Sequence, residues 1–125
     1  MNQKGITLVE VLISTAIFAL VIVGIMGTLI ISVDLSRKID YEYAATNLAK
    51  KRLETARTMI KTQGFWTLFT MEEEDILINA DGMRDSDGEF VRTTKVAPNY
   101  GNPRLTKVEV EIYYSYRGKK HAPLP

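Results

Sequence analysis

Residues 11–33 read VLISTAIFALVIVGIMGTLIISV, without a single charge. A bilayer span takes roughly 20 predominantly apolar residues, so this run reads as one transmembrane helix. The competing assignment is the core helix of a soluble domain. A helix apolar all round must be wrapped on every side, and the rest of a 125-residue chain is too short to do that. A secretory signal peptide would be cut after its apolar region, at small residues. No clear exit site of that kind follows Val33, and the one suggestive cut precedes the run, at Gly5.

Working outward toward the N-terminus, the chain opens MNQKG-ITLVEVLISTAIFAL: a short polar, basic leader ends in glycine and an apolar segment follows at once. One carboxylate, Glu10, interrupts that segment. An ionisable group at membrane depth costs a few kcal/mol on insertion scales and calls for a named partner. A cut after Gly5 would create one type of partner, the α-amine of Ile6, which is cationic below its ordinary pKa of about 7.7–8.0.

The order Gly5, Ile6, Thr7, Leu8, Glu10 resembles the class III signal of type IV prepilins and type II secretion pseudopilins, with Ile6 where that family most often has Phe. The resemblance implies cleavage between Gly5 and Ile6 by a prepilin peptidase and methylation of the Ile6 amine. It also implies an assembly contact between Glu10 and the N-terminal amine of a neighbouring subunit. It places the chain in the bacterial inner membrane as a single-pass protein, N-terminus in the cytoplasm, and then in a periplasmic or extracellular filament. The implied partners are other pilin or pseudopilin subunits, an inner-membrane assembly platform, and the lipid bilayer before assembly.

Beyond the span, DLSRKIDYEYAATNLAKKRLETARTMIKTQG continues the helix. Leu35, Ile39, Thr46, Ala49, Leu53, Ala56 and Ile60 recur at steps of three, four or seven, which predicts one apolar face. Gly64 is the expected stop. A helix from Ile6 to Gln63 would be about 87 Å long at 1.5 Å per residue. Gly24 and Gly27 fit either a helix weak point or close packing of helices in the membrane. The stretch AATNLAKKRLETAR, Ala44 to Arg57, resembles the helix of minor pilins and minor pseudopilins.

Past Gly64, Phe65, Trp66 and Phe69 are expected to pack between helix and sheet. The acidic run Glu72 to Asp75 reads as a solvated turn and Ile76 to Ile78 as a short strand. Asp81, Asp85 and Asp87 form a candidate calcium loop, but the EF-hand template fails there, and Asp-Gly pairs are ordinary hairpin turns. Phe90 to Val96 is a candidate strand, followed by a loop over Ala97 to Pro103. In Leu105 to Tyr116, Val108, Val110, Ile112, Tyr114 and Tyr116 share one face, the clearest alternation in the chain. Arg117 to Lys119 reads as a turn, and no good closing strand is expected in His121 to Pro125.

The expected architecture is α+β: a leader (1–5), a membrane or filament-core helix segment (6–33), its amphipathic continuation (34–63), and a small antiparallel sheet region (64–125). Sixteen basic and fifteen acidic residues give a net charge of +1, not the balance of a nucleic-acid binder. There is no cysteine, which removes disulfides, thiolate catalysis and cysteine zinc sites. The single histidine, His121, has no catalytic companion near it in sequence. No enzymatic activity, cofactor or metal is expected. The expected role is that of a structural minor subunit of a pilus or secretion pseudopilus. The alternative is a DNA-uptake pilin binding through Lys50, Lys51, Arg52, Arg57 and Lys61, a basic surface that Glu54 interrupts.

Overall fold

A computed structural model describes residues 5–116 and 119–121. The elements run α1 (Leu8–Gln63), a 3₁₀ segment (Phe65–Met71), β1 (Glu73–Ile78), β2 (Phe90–Pro98), β3 (Thr106–Tyr116) and β4 (Lys119–His121). The four strands form one antiparallel sheet in the order β1-β2-β3-β4. The chain divides into two compact units, Met1–Arg37 and Lys38–Pro125. The class is α+β, a long N-terminal helix whose second half packs on the sheet.

In the first unit the helix runs unbroken through Gly24 and Gly27, and a Cβ at either would meet nothing within 4 Å. Its apolar side chains are bare, Leu20 at 73% and Ile30 at 70% exposure. α1 is long and apolar enough to cross a membrane.

The second unit holds the core, in two clusters. The larger joins Ala45 and Leu48 of α1 to Ile78, Phe90, Ile112 and Tyr114 of the sheet. There Tyr41 stacks on Tyr114 at 5.7 Å and 6° and also contacts Phe90 and Tyr116. The smaller joins Ala56 to Leu68, Met71 and Val96. Gly64 ends α1 as expected, at φ 92°.

Several expectations need correction. Of the expected face Ala56 is buried and Ala49 and Leu53 are half-buried, while Leu35, Ile39, Thr46 and Ile60 are exposed; the covered face follows buried Ala45, Leu48 and Ala56 with half-buried Tyr41, Arg52 and Met59. The face is rotated by close to one residue, roughly 100°. The reason is that Tyr41 and Arg52, polar by type, both turn inward: one stacks in the core, the other meets a buried carboxylate. Phe65 and Trp66 are also exposed, Trp66 at 79%. They pack on one another and on Phe69 with centroids 5.7–6.0 Å apart, and Leu68 and Met71 take the core positions instead.

The acidic run is not a free turn, because β1 begins at Glu73. Finally, Lys119 to His121 pairs with Tyr114 to Tyr116 as a short fourth strand. Those three residues include no proline, so their main-chain groups can pair. The His121 side chain and the leader residues Met1 to Lys4 lie outside the described residues.

The turn before β2 packs tightly on β1. A Cβ on Gly88 would lie 2.4 Å from the Ile78 carbonyl oxygen and 2.6 Å from its carbon, main-chain atoms that cannot move without disturbing the strand. Gly88→Ala should cost about 2 kcal/mol as an overpacking change. That predicts a drop of about 10 °C in the thermal unfolding of the full chain in detergent. An unchanged midpoint would show that the turn is not held against β1.

Candidate functional site

Two charged centres stand out, one in each unit. The first is the helix entry. Gly5, Ile6 and Thr7 precede α1 without helical structure and are exposed. Thr7 caps the helix: its Oγ1 accepts the Glu10 N–H at 3.3 Å, and its carbonyl accepts the N–H groups of Glu10 and Val11 at 3.0 and 3.2 Å. A threonine cap three residues before a glutamate has the sequence of a capping box. A carboxylate in the first turn also suits the positive end of the helix dipole. Beyond that, no donor or cation among the described residues contacts the Glu10 carboxylate. The neighbouring side chains Leu8, Val9, Val11 and Ile13 are all exposed.

The second centre is built on Glu73. β1 and β2 pair Glu73 with Thr94 and Ile76 with Arg92, so β1 carries one residue more than β2 over this span. That is a β-bulge. Asp75 takes the extra residue at φ 48°, its N–H donating to Thr93 Oγ1 at 3.1 Å. Side chains alternate along a strand, so one inserted residue reverses the phase. Glu73 thereby shares the helix-facing side with Ile76 and Ile78.

On that side it meets three arginines. Glu73 Oε2 is ion-paired with Arg52 at 3.0 Å and with Arg92 at 2.9 Å, and it accepts a hydrogen bond from Arg92 Nε at 2.9 Å. Oε1 accepts from Arg84 at 3.0 Å. Arg52 also donates to the Met71 carbonyl and Arg92 to the Gly82 carbonyl, each at 3.1 Å. The side chains of Glu73 and Arg92 are each 9% exposed, so this pairing is largely out of water. Burial alone would raise the Glu73 pKa. The hydrogen bond from Arg84 and the charges of Arg52 and Arg92 outweigh it and hold the carboxyl below its ordinary range. Burial and the neighbouring Arg92 depress Arg52 in turn. Two buried polar atoms close by have no hydrogen-bond partner, Arg52 Nε and Thr94 Oγ1.

Sequence reading missed this centre by counting Arg52 as surface and Glu73 as turn. The available signals were spacing and parity. Arg52 lies four residues from both Leu48 and Ala56, and Arg92 alternates in phase with Phe90, Thr94 and Val96. Arg52 is therefore withdrawn from the basic helical surface that Lys50, Lys51, Arg57 and Lys61 would otherwise extend.

The aspartates sit in turns. Asn79 Oδ1 accepts the Asp81 N–H at 3.0 Å, and Asp85 Oδ1 accepts the Asp87 N–H at 3.1 Å. Among the described residues no three acidic or histidine side chains gather as a metal site would require.

Residues 1–26 match the family model of the prokaryotic N-terminal methylation motif. This is the class III prepilin signal of type IV pilin-like proteins, a structural rather than enzymatic group whose members are cut by prepilin peptidase and assemble with other pilin subunits. No curated protein and no solved structure matches the chain. Signal and bare apolar helix together point to anchoring in a membrane.

Glu73 sets a pH dependence. Its folded pKa lies below the unfolded value of about 4.3, so its stabilisation is complete above that value and is lost as pH falls through the folded pKa. Glu73→Gln should cost about 3 kcal/mol at neutral pH, because it leaves guanidiniums buried without their counter-charge. The variant should also lose less stability than wild type between about pH 4.3 and pH 2. Thermal unfolding of both full-length proteins across that range checks this. Parallel curves would show that Glu73 does not carry the acid sensitivity.

Proposed function

We propose that this chain is a minor structural subunit of a type IV pilus or type II secretion pseudopilus. It is cut after Gly5, methylated on the Ile6 amine and assembled through α1. One observation carries the reading: a lone carboxylate, Glu10, has no partner among the described residues and stands in a bare apolar helix, four residues after the terminus that the cut would create. An exposed, non-helical Gly5–Ile6 bond suits a peptidase, which needs extended backbone. The freed amine carries the charge that Glu10 lacks.

Before assembly the apolar half of α1 lies in the inner membrane with its N-terminus in the cytoplasm. An assembly platform then draws it out, and the helices of other subunits replace lipid around it. In that setting Glu10 of one subunit meets the Ile6 amine of a neighbour in a largely desolvated pair. The minor role rests on the likeness of Ala44 to Arg57 to minor-subunit helices.

Mass spectrometry of the membrane-extracted protein should find a chain beginning at methylated Ile6. An intact Met1, or a chain cut after Val33, would refute the reading. Glu10→Ala should leave membrane insertion and cleavage intact. Removing one side of a buried pair costs about 3–5 kcal/mol, so its recovery in sheared filaments should fall more than about a hundredfold. Normal incorporation would remove the assembly role of Glu10.

A further inference from the structure

The Glu73 centre carries more positive charge than it neutralises. Arg52, Arg84 and Arg92 share its one carboxylate. Lys51 stands beside them, and its Nζ donates to the main-chain oxygen of Asp81 at 3.0 Å. Of these four cations, Lys51, Arg52 and Arg92 line one hollow together with the acid Asp81, and with Glu73 counted three cations there stand against two carboxylates.

A hollow of about 190 Å³ opens at this place, between one turn of α1 and the loop that carries Asp81 and Gly82. Lys51, Arg52, Arg92, Thr55 and Asp81 form its polar lining, and Leu48 and Met83 its apolar one. Gly82, at φ 84°, lets the loop lie close. A Cβ there would be strained and would press on Leu48 Cδ2 at 3.2 Å. Arg52 is held below its usual pKa first by burial and then by the charge of Arg92, the condition of a cation that another anion would stabilise.

We propose that this hollow receives the carboxylate of an acidic side chain, Asp or Glu, from a neighbouring subunit in the filament. The inference rests on the subunit reading above. Charge complementarity selects an anion, since an excess of like charge beside a low-dielectric wall favours an incoming carboxylate. The mixed lining selects a side chain over a free ion. Exposed Met83 suits the methylene stem of a glutamate or aspartate, whereas a free inorganic anion would leave it uncovered. Arginine forks and a lysine are the groups that bind carboxylates.

The test uses the full-length chain in cells that assemble the filament, with Lys51→Glu set against Lys50→Glu. Both change the charge equally, one residue apart, but Lys50 is exposed and does not line the hollow. Cleavage after Gly5 is followed for every variant. Lys51→Glu should be cut normally yet fall about tenfold in sheared filaments, the equivalent of 1.4 kcal/mol, while Lys50→Glu matches wild type. Equal incorporation of Lys51→Glu and wild type would overturn the proposal, as would an equal loss in both variants. A wild-type chain that is neither cut nor incorporated would instead overturn the subunit reading.

A second arm separates the sources of the anion. Thermal unfolding of the purified full chain in detergent is followed with phosphate or acetate replacing chloride at constant ionic strength. No shift that depends on Lys51 is expected. A saturable rise in wild type that is absent in Lys51→Gln would assign the hollow to a free anion and overturn the proposal.

Discussion

Glu73 is the point on which the second unit is organised. A buried carboxylate is costly unless it is paired and hydrogen-bonded, and here one carboxylate binds a residue from each surrounding piece of chain. Arg52 comes from the helix, Arg92 from the neighbouring strand and Arg84 from the loop between strands. The helix and the strand also contribute to the hydrophobic packing nearby. On the helix, Arg52 sits between Leu48 of the larger cluster and Ala56 of the smaller; on β2, Arg92 and Thr94 sit between Phe90 and Val96. The ionic centre thus lies between two apolar clusters. Losing the carboxylate would leave guanidiniums stranded between them, the most expensive form of a broken buried pair.

The bulge at Asp75 belongs to the same constraint. Without the extra residue, Glu73 would face away from the helix whenever Ile76 and Ile78 faced toward it. An aspartate at positive φ is a modest strain, since Asp and Asn tolerate that region better than most residues. The strain places an acid and two isoleucines on one face of a six-residue strand.

The two notable carboxylates are opposites. Glu73 has its counter-charges within the chain and more than one too many of them. Glu10 has none among the described residues and stands on a helix whose apolar side chains are bare. The described residues satisfy the first and leave the second open. Within the one chain, Trp66 and the apolar side chains of the first half of α1 are exposed.

Much of this was legible from residue type and order. The apolar run, the glycine before it, the carboxylate within it and the stop at Gly64 depend only on local chemistry, and so does the alternation of β3, where Ile112 and Tyr114 are buried as the period requires. These signals are short in range, so the sequence by itself determined the α+β class, the span of the apolar helix and the N-terminal methylation motif. Which way the second half of the helix faces was not legible, because polarity alone assigns Tyr41 and Arg52 to solvent. Nor was the fate of the acidic run or of Phe65 and Trp66. Each depended on a partner distant in the chain: Tyr114 for Tyr41, Glu73 for Arg52, and Val96 for the core places that Leu68 and Met71 take instead of the aromatic pair. Tertiary structure decided these because a buried charge takes its position from its counter-charge, and no local pattern records where that counter-charge will be.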